Sequence, residues 1–394
     1  MIVHIKHFLR NSRQYLFCRQ TEVKVEDYKY FIFLDSKVPN IIEQIYPYFE
    51  KGFFSKDEVL IIYRHHFENI QVIKKAIKNF SLKGYCFINL RDIPSVSDGI
   101  WFYTHNSMTN LAAMNKNVYS KHIWMGHGDS EKVSSYKKII RIYDYCLVSG
   151  NRAIERFYQY GIFRKEEEYR FLYVGKVVLC SVLPDSNNIV RKKAILFAPT
   201  WEGPMKEESY STLHLAKENS NFIKTVSQQL DIHTIIIKLH PNTGIRDFQT
   251  IANSIETIEL MLELNKKIIF VAEMNSWVYS FVYKKFKERL EYRDNLYEVN
   301  DYQLEIGVTN ISAMASMIAI EGIKTFVLYD EIIKEQEKVN LLFVEKVNLR
   351  KLLETAYNFD YKVDKRLISY EKGWDTLSQE EIFKEVALFV NRER

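Results

Sequence analysis

Lys193-Ala194-Ile195-Leu196-Phe197-Ala198 (KAILFA) runs directly into Pro199-Thr200-Trp201-Glu202-Gly203-Pro204 (PTWEGP), and this stretch decides the fold. Five apolar residues with no polar face, halted by proline, read as a strand buried on both sides. Runs of the same kind follow at His233–Leu239 (HTIIIKL), Lys267–Ala272 (KIIFVA), Leu304–Val308 and Thr325–Tyr329 (TFVLY). Helical patterns at Leu215–Leu230 and Thr250–Leu264 fill the gaps. Working back toward the N-terminus, strands are expected at Tyr30–Leu34, Val59–Tyr63, Gly84–Ile88, Gly99–Tyr103, Ile123–Gly126 and Tyr145–Val148, with helices at Ile41–Phe49 and Asn69–Phe80. In the latter, Ile70, Ile73, Ile77 and Phe80 recur every three to four residues, while Lys74, Lys75 and Lys78 take the other face. Strands apolar on both faces and alternating with helices imply parallel sheets. The pattern restarts after a polar turn cluster, Leu183–Lys193 (LPDSNNIVRKK). The expectation is an α/β protein of two Rossmann-like domains, 1–187 and 188–375, with parallel sheets facing a central cleft. An amphipathic helix, Ser378–Val390, in a tail of 376–394 crosses back to the first domain. Such folds bind ligands at the carboxyl ends of their strands.

Composition narrows the function. The chain has 394 residues, 47% hydrophobic and 27% charged, which excludes disorder as the main state. With 13 glycines and 7 prolines it is neither collagen-like nor of low complexity. A net charge of +5, from 55 basic against 50 acidic residues, is too small to argue for nucleic acid; it permits an anionic substrate. Cys18, Cys86, Cys146 and Cys180 form no C-x-x-C pair and read as free thiols of a reducing compartment. The N-terminal MIVHIKHFLRNSR lacks the apolar core of a signal peptide, and no window approaches about 18 apolar residues. A cytoplasmic protein is expected, peripheral at most on the inner face of the cell membrane.

Four motifs can carry chemistry. Trp124–Lys132 (WMGHGDSEK) follows a strand, and its glycines leave His127 uncrowded; Asp129 or Ser130 can cap a following helix whose N-terminus would suit an anion. A general base and a loop-bracing imidazole both fit that pattern. In Phe197–Pro204, Thr200 and the loop amides can bind phosphate oxygens, or the loop is a rigid turn with Trp201 packed. In Ile237–Asn242 (IKLHPN), Pro241 ends the strand and aims His240 out of the sheet edge, with Lys238 adding charge. In Thr309–Ser316 (TNISAMAS), Asn310 reads as an N-cap, leaving the next amides and Ser312 for a phosphate; taken alone, the stretch reads better as ordinary capping of a buried helix. His65-His66, His4, His7, His105, His122, His214 and His233 show no metal-ligand spacing, so neither metal nor cofactor is expected. Lys284, Lys285, Lys287 and Arg289, like Lys137, Lys138 and Arg141, read as solvated faces or contacts to anionic lipid or polymer.

In this order the motifs resemble the CDP-glycerol glycerophosphotransferase family, the teichoic-acid-type polymerases and primases. That family's H-G, P-T-[YW], H-P and D-x-S-S-x-x-x-D signatures correspond to His127-Gly128, Pro199-Thr200-Trp201, His240-Pro241 and Asn310-Ile311-Ser312-Ala313. The stretch Tyr143–Gly161, followed by Val174-Gly175, resembles the family's connecting strand and helix. The resemblance spans roughly Ser120 to Asp330 and implies a GT-B-like fold. It departs at the family's first aspartate (Asn310), second serine (Ala313), second aspartate (near Met317) and the arginine often found after P-T-[YW] (Glu202).

The resemblance implies a metal-independent transferase of capsule or teichoic-acid-like polymer synthesis. It would move a glycerol- or ribitol-phosphate from a CDP-activated donor to a hydroxyl of a cell-surface glycan or polyol-phosphate chain. His127 and His240 would be catalytic. Thr200, Trp201, Lys238, Asn310, Ser312 and Ser316 would bind the donor, and Asp129, Ser130 and Lys132 the acceptor. Three alternatives stay open: a GT-B glycosyltransferase using a CMP- or UDP-sugar, a nucleotide-sugar epimerase, and a non-catalytic glycan-binding protein.

Overall fold

A strand that is apolar on both faces must be covered on both, and each half of the chain meets that demand with helices. The computed structural model describes residues 23–37, 41–66, 69–126, 129–179, 191–203, 209–272, 277–330, 345–351 and 365–392. It divides into two units. The first comprises Met1–Asp129, Tyr136–Cys180 and Ile368–Arg394; the second comprises Ser130–Ser135 and Ser181–Leu367.

The first unit contains β1 (Tyr30–Leu34), β2 (Val59–Arg64), β3 (Lys83–Phe87), β4 (Ile100–Tyr103), β5 (Lys121–Trp124), β6 (Tyr145–Val148) and β7 (Phe171–Tyr173). Among the described residues they form a seven-stranded sheet ordered β3-β2-β1-β4-β5-β6-β7, and every pairing is parallel. The register of β1 on β4 runs from Tyr30 opposite Ile100 to Phe33 opposite Tyr103. Alternate side chains therefore feed two cores. Phe31, Phe33, Trp101 and Tyr103 lie in one, and Ile32, Leu34 and Phe102 in the other. The second of these is closed by the helix Gln379–Arg392, whose Ile382, Phe383, Val386, Ala387 and Val390 are buried. Phe383 meets Tyr30 and Phe53 edge-on, with centroids 4.8 and 5.4 Å apart.

The second unit repeats the plan with β8 (Lys192–Ala198), β9 (Thr234–Ile237), β10 (Lys267–Val271), β11 (Glu291–Arg293), β12 (Tyr302–Thr309), β13 (Lys324–Tyr329) and β14 (Glu345–Asn348). Their order is β11-β10-β9-β8-β12-β13-β14, again all parallel. The helix Ala313–Ile320 returns over β12 so closely that a Cβ at Gly307 would lie 2.5 Å from Ile318 Cγ2. Two Rossmann-like units in succession, with the last helix returned to the first, are the GT-B-like form of the α/β class.

The differences from the sequence expectations fall at edges. β5 ends at Trp124 rather than Gly126, because Gly126 adopts a left-handed conformation (φ 64°) that leaves the strand. β7, β11 and β14 were not expected: they are three or four residues long and lie at or near sheet edges, and β11 is the polar triplet Glu-Tyr-Arg. No α-helix follows the glycine-histidine motif; Val133–Tyr136 and Lys138–Ile142 are short 3-10 turns. Cys86 and Cys146 are buried free thiols, burial pushing the Cys146 pKa up to about 12; Cys18 and Cys180 lie outside the described residues. Among the described residues no helix is long and apolar enough to cross a membrane.

Candidate active site

In a doubly wound sheet the carboxyl ends diverge where the strand order turns, and ligands bind there. In the second unit that point lies between β8 and β12. β8 delivers Pro199, Thr200 and Trp201, and β12 delivers Asn310, Ile311 and Ser312. The two loops are tied together. Thr200 donates its backbone N–H to Asn310 Oδ1 at 2.9 Å, and Thr309 Oγ1 donates to Ala198 O at 2.7 Å. Asn310 is fully buried, and its amide nitrogen donates to Thr212 Oγ1 (2.8 Å) and Leu328 O (3.0 Å). Its amide is thus spent on holding loops. For the same reason Asn310 is not the N-cap: the helix starts at Ala313, with extended Ser312 before it. Ser312 Oγ shares a hydrogen bond with Thr309 Oγ1 at 3.1 Å, and Ser316 is buried one turn in.

β9 supplies the next part. Lys238 donates its backbone N–H to Phe197 O at 2.9 Å, and two residues later His240 is half-buried. Its imidazole lies nearly parallel to the Trp201 indole, 14° between planes and 5.5 Å between centroids. The N–H of Asn242 donates to His240 Nδ1 at 3.1 Å. Nδ1 is therefore the acceptor, and in the neutral ring Nε2 carries the hydrogen. His240 thus offers a donor, and the indole face favours the ring when it is protonated.

Lys132 and Ser130, read from the sequence as acceptor-side residues, belong to the second unit. Lys132 Nζ donates to Thr200 Oγ1 at 2.7 Å and sits 5.7 Å from the Tyr210 ring centroid. Ser130 Oγ shares a hydrogen bond with Ser135 Oγ at 2.8 Å. Asp129, expected to cap a helix or meet the acceptor, instead accepts from Ser149 Oγ at 2.7 Å and forms a buried ion pair with Arg156. The pull of that guanidinium explains why it caps nothing. His127 and Gly128 lie outside the described residues.

Two residues that spacing passed over complete the edge. Glu202, 3% exposed, accepts the N–H groups of Gly244 (3.1 Å), Arg246 (3.0 Å) and Asp247 (3.2 Å), while Arg246 Nη2 donates back to Glu202 O at 3.0 Å. This locks the loop after His240 to the loop carrying Trp201. Asp330, next after β13, accepts from Arg350 Nη2 at 2.9 Å and Nε, and from His214 Nε2 at 2.8 Å. Arg350, and then His214, hold the Asp330 pKa down at about 2 against the opposing effect of burial. Their signal in the sequence is weak: a carboxylate just after a buried strand, its partners 116 and 20 residues away. Elsewhere His122 is a satisfied core imidazole that accepts from Tyr103 Oη and donates to Asn117 O, its pKa lowered by burial. Among the described residues no three His, Cys, Asp or Glu side chains gather as metal ligands.

No family model matches the chain, and no curated protein matches it. Among solved structures it is similar to the wall teichoic acid polymerase TagF, at 15% identity over 100% of this chain and 96% of that one, with a TM-score of 0.46. It is also similar to the UDP-GlcNAc 2-epimerase from Methanocaldococcus jannaschii (14%, 91% and 99%, 0.48) and to MurG from Acinetobacter baumannii (9%, 92% and 95%, 0.41). The fold class rests on the two strand orders, and the chemistry on the residues of the switch point.

Proposed function

We propose that this chain is a GT-B-like transferase that moves a polyol phosphate, glycerol or ribitol phosphate, from a CDP-activated donor to a hydroxyl of a glycan or polyol-phosphate acceptor. The observation that carries the reading is the character of the second switch point. Lys132 on Thr200 and His240, whose Nδ1 accepts from Asn242, are cationic or donating groups on loops locked in place. The carboxylate beside them, Glu202, is buried and saturated by amides. Such an edge favours an anion, and a diphosphate is the anion that a nucleotide-activated donor brings.

In the reaction the acceptor oxygen attacks the β-phosphorus. The new O–P bond forms, the P–O bond to CMP breaks, and CMP leaves as the anion. His240 and Lys132 stabilise charge on the diphosphate. The acceptor proton goes to His127, a role taken from the motif resemblance. Lys238, half-buried at the end of β9, adds positive charge. Peripheral contact with the membrane surface belongs to the same reading. It is supported by Phe248 and Trp277, 56% and 48% exposed, with Lys284 two turns along the helix from Trp277.

Asn310 and Ala313, which replace an acidic and a hydroxyl residue of the resembled family, favour a second reading in which the donor is a nucleotide sugar. The test is incubation with CDP-polyols, CMP-sugars and UDP-sugars, with mass spectrometry of the acceptor. Transfer of one polyol phosphate with release of CMP upholds the proposal, and transfer of a sugar replaces it with the second reading. His127→Ala should lose about 10²- to 10⁴-fold in turnover while still binding nucleotide.

A further inference from the structure

The first unit has its own switch point, between β1 and β4. β1 runs out into Asp35, β2 ends at Arg64 with His66 two residues beyond, and β4 runs out into Thr104 and His105. The Asp35 carboxylate, 5% exposed, accepts from Arg64 Nη1 at 3.1 Å and from His66 Nε2 at 2.6 Å. Arg64 Nε donates to Ile88 O at 3.1 Å, which fixes the guanidinium, and Thr104 Oγ1 lies 2.6 Å from His105 Nδ1 on the neighbouring strand end.

The chemistry follows from the partners. A carboxylate that already accepts from a guanidinium offers only lone pairs, so the ring nitrogen facing it must carry the hydrogen. With Nε2–H fixed on Asp35, the neutral His66 ring presents its lone pair at Nδ1, and the side chain is 14% exposed. An imidazole whose far nitrogen is held by a buried carboxylate is fixed in tautomer and orientation, so that the near nitrogen presents the lone pair. A lone pair does not accept an anion. It accepts an O–H.

We propose that Asp35 and His66 form a hydroxyl-binding subsite at the switch point of the first unit, with His66 Nδ1 accepting from an alcohol of a polyhydroxylated ligand. Asp35 is the positioning residue that sets the tautomer. The inference rests on the transferase reading only for the identity of the ligand, a polyol or glycan acceptor; the geometry stands without it.

The test is nitrogen-detected NMR of the His66 ring in the full chain, titrated with glycerol 3-phosphate and with ribitol 5-phosphate. A saturable shift at Nδ1 is expected. His66→Gln, which keeps an N–H toward Asp35 but lacks the Nδ1 lone pair, should weaken binding roughly tenfold. Absence of a saturable shift, or His66→Gln binding as the wild type does, overturns the subsite. The wild-type titration decides alone if His66→Gln does not fold. Saturable binding at His66 by a chain that transfers from no donor upholds the subsite while removing the transferase reading. Transfer by His66→Gln with an unchanged acceptor KM overturns the subsite and leaves that reading standing.

Discussion

Between β1 and β4 the first sheet carries a buried carboxylate held by a guanidinium and an imidazole. Between β8 and β12 the second carries an amide and a threonine joined by neutral bonds, with a lysine and a stacked imidazole beside them. The plans are alike, seven parallel strands in each unit with one reversal of order, 3-2-1-4-5-6-7 in the first and 4-3-2-1-5-6-7 in the second. Parallel pairing and two-sided burial therefore account for neither chemistry. The sheet supplies a place, and the few residues after each strand decide what can occupy it. In the first unit charge is neutralised internally and a lone pair is left over. In the second the carboxylate is neutralised internally, and a lysine and an imidazole stand beside it. One edge suits a hydroxyl, the other an anion.

The largest expected effect falls on another buried ion pair of the first unit, Asp129 with Arg156. Arg156→Ala strands Asp129 as a buried charge and should cost about 3–5 kcal/mol, read as lost hydrogen-exchange protection across the first sheet in a urea series. A cost under about 1 kcal/mol would mean that the pair is solvated rather than buried. His240→Ala tests the donor character of the second edge. Removing a preorganised donor to developing charge should lower turnover about 10²- to 10³-fold, with nucleotide affinity changed only a few-fold; near-normal turnover would break the assignment.

Asp330 gives a pH-dependent form of the same test. Its folded pKa of about 2 lies below the ordinary carboxylate value, so the ionised form favours the folded state. That stabilisation, about 2–3 kcal/mol, is fully present above about pH 5 and is lost as pH falls toward 2. The Asp330→Asn variant should be less stable at neutral pH and show a flatter acid limb of urea midpoint against pH. Parallel limbs for the two proteins would remove Asp330 as the cause. The smallest effect sharpens the account of the locked loop. Glu202→Gln turns one acceptor oxygen into a donor facing amide N–H groups, and should cost roughly 1–3 kcal/mol. Faster exchange at Gly244, Arg246 and Asp247 is the measurement, and unchanged protection there would show that the loop holds without Glu202.

The sheets were legible because two-sided burial leaves an unbroken apolar run: KAILFA, HTIIIKL and KIIFVA each coincide with a strand of the structure to within a residue or two at either end. Edge strands were not, since Glu291–Arg293 pairs on one side only and carries no such run. Within the second switch point, Thr200, Trp201, His240 and Ser312 stand out in the sequence because proline or small residues follow or precede a strand end. Glu202, Asp330 and His214 do not, because what matters about them is a partner elsewhere in the chain. Asn310 was visible as a residue but misread as a cap, since nothing local announces that Thr200, Thr212 and Leu328 occupy its amide.

Local pattern alone determined the central strands, their parallel pairing and the repetition of one plan, since periodicity and the cost of burying polar backbone act over a few residues. Tertiary structure decided which side chains face a ligand and which are spent on the protein itself. Asp129 and Asn310 went inward, and Lys132 went to the second unit. The strength of a hydrogen bond or ion pair depends on partners that the fold, not the spacing, brings within 3 Å.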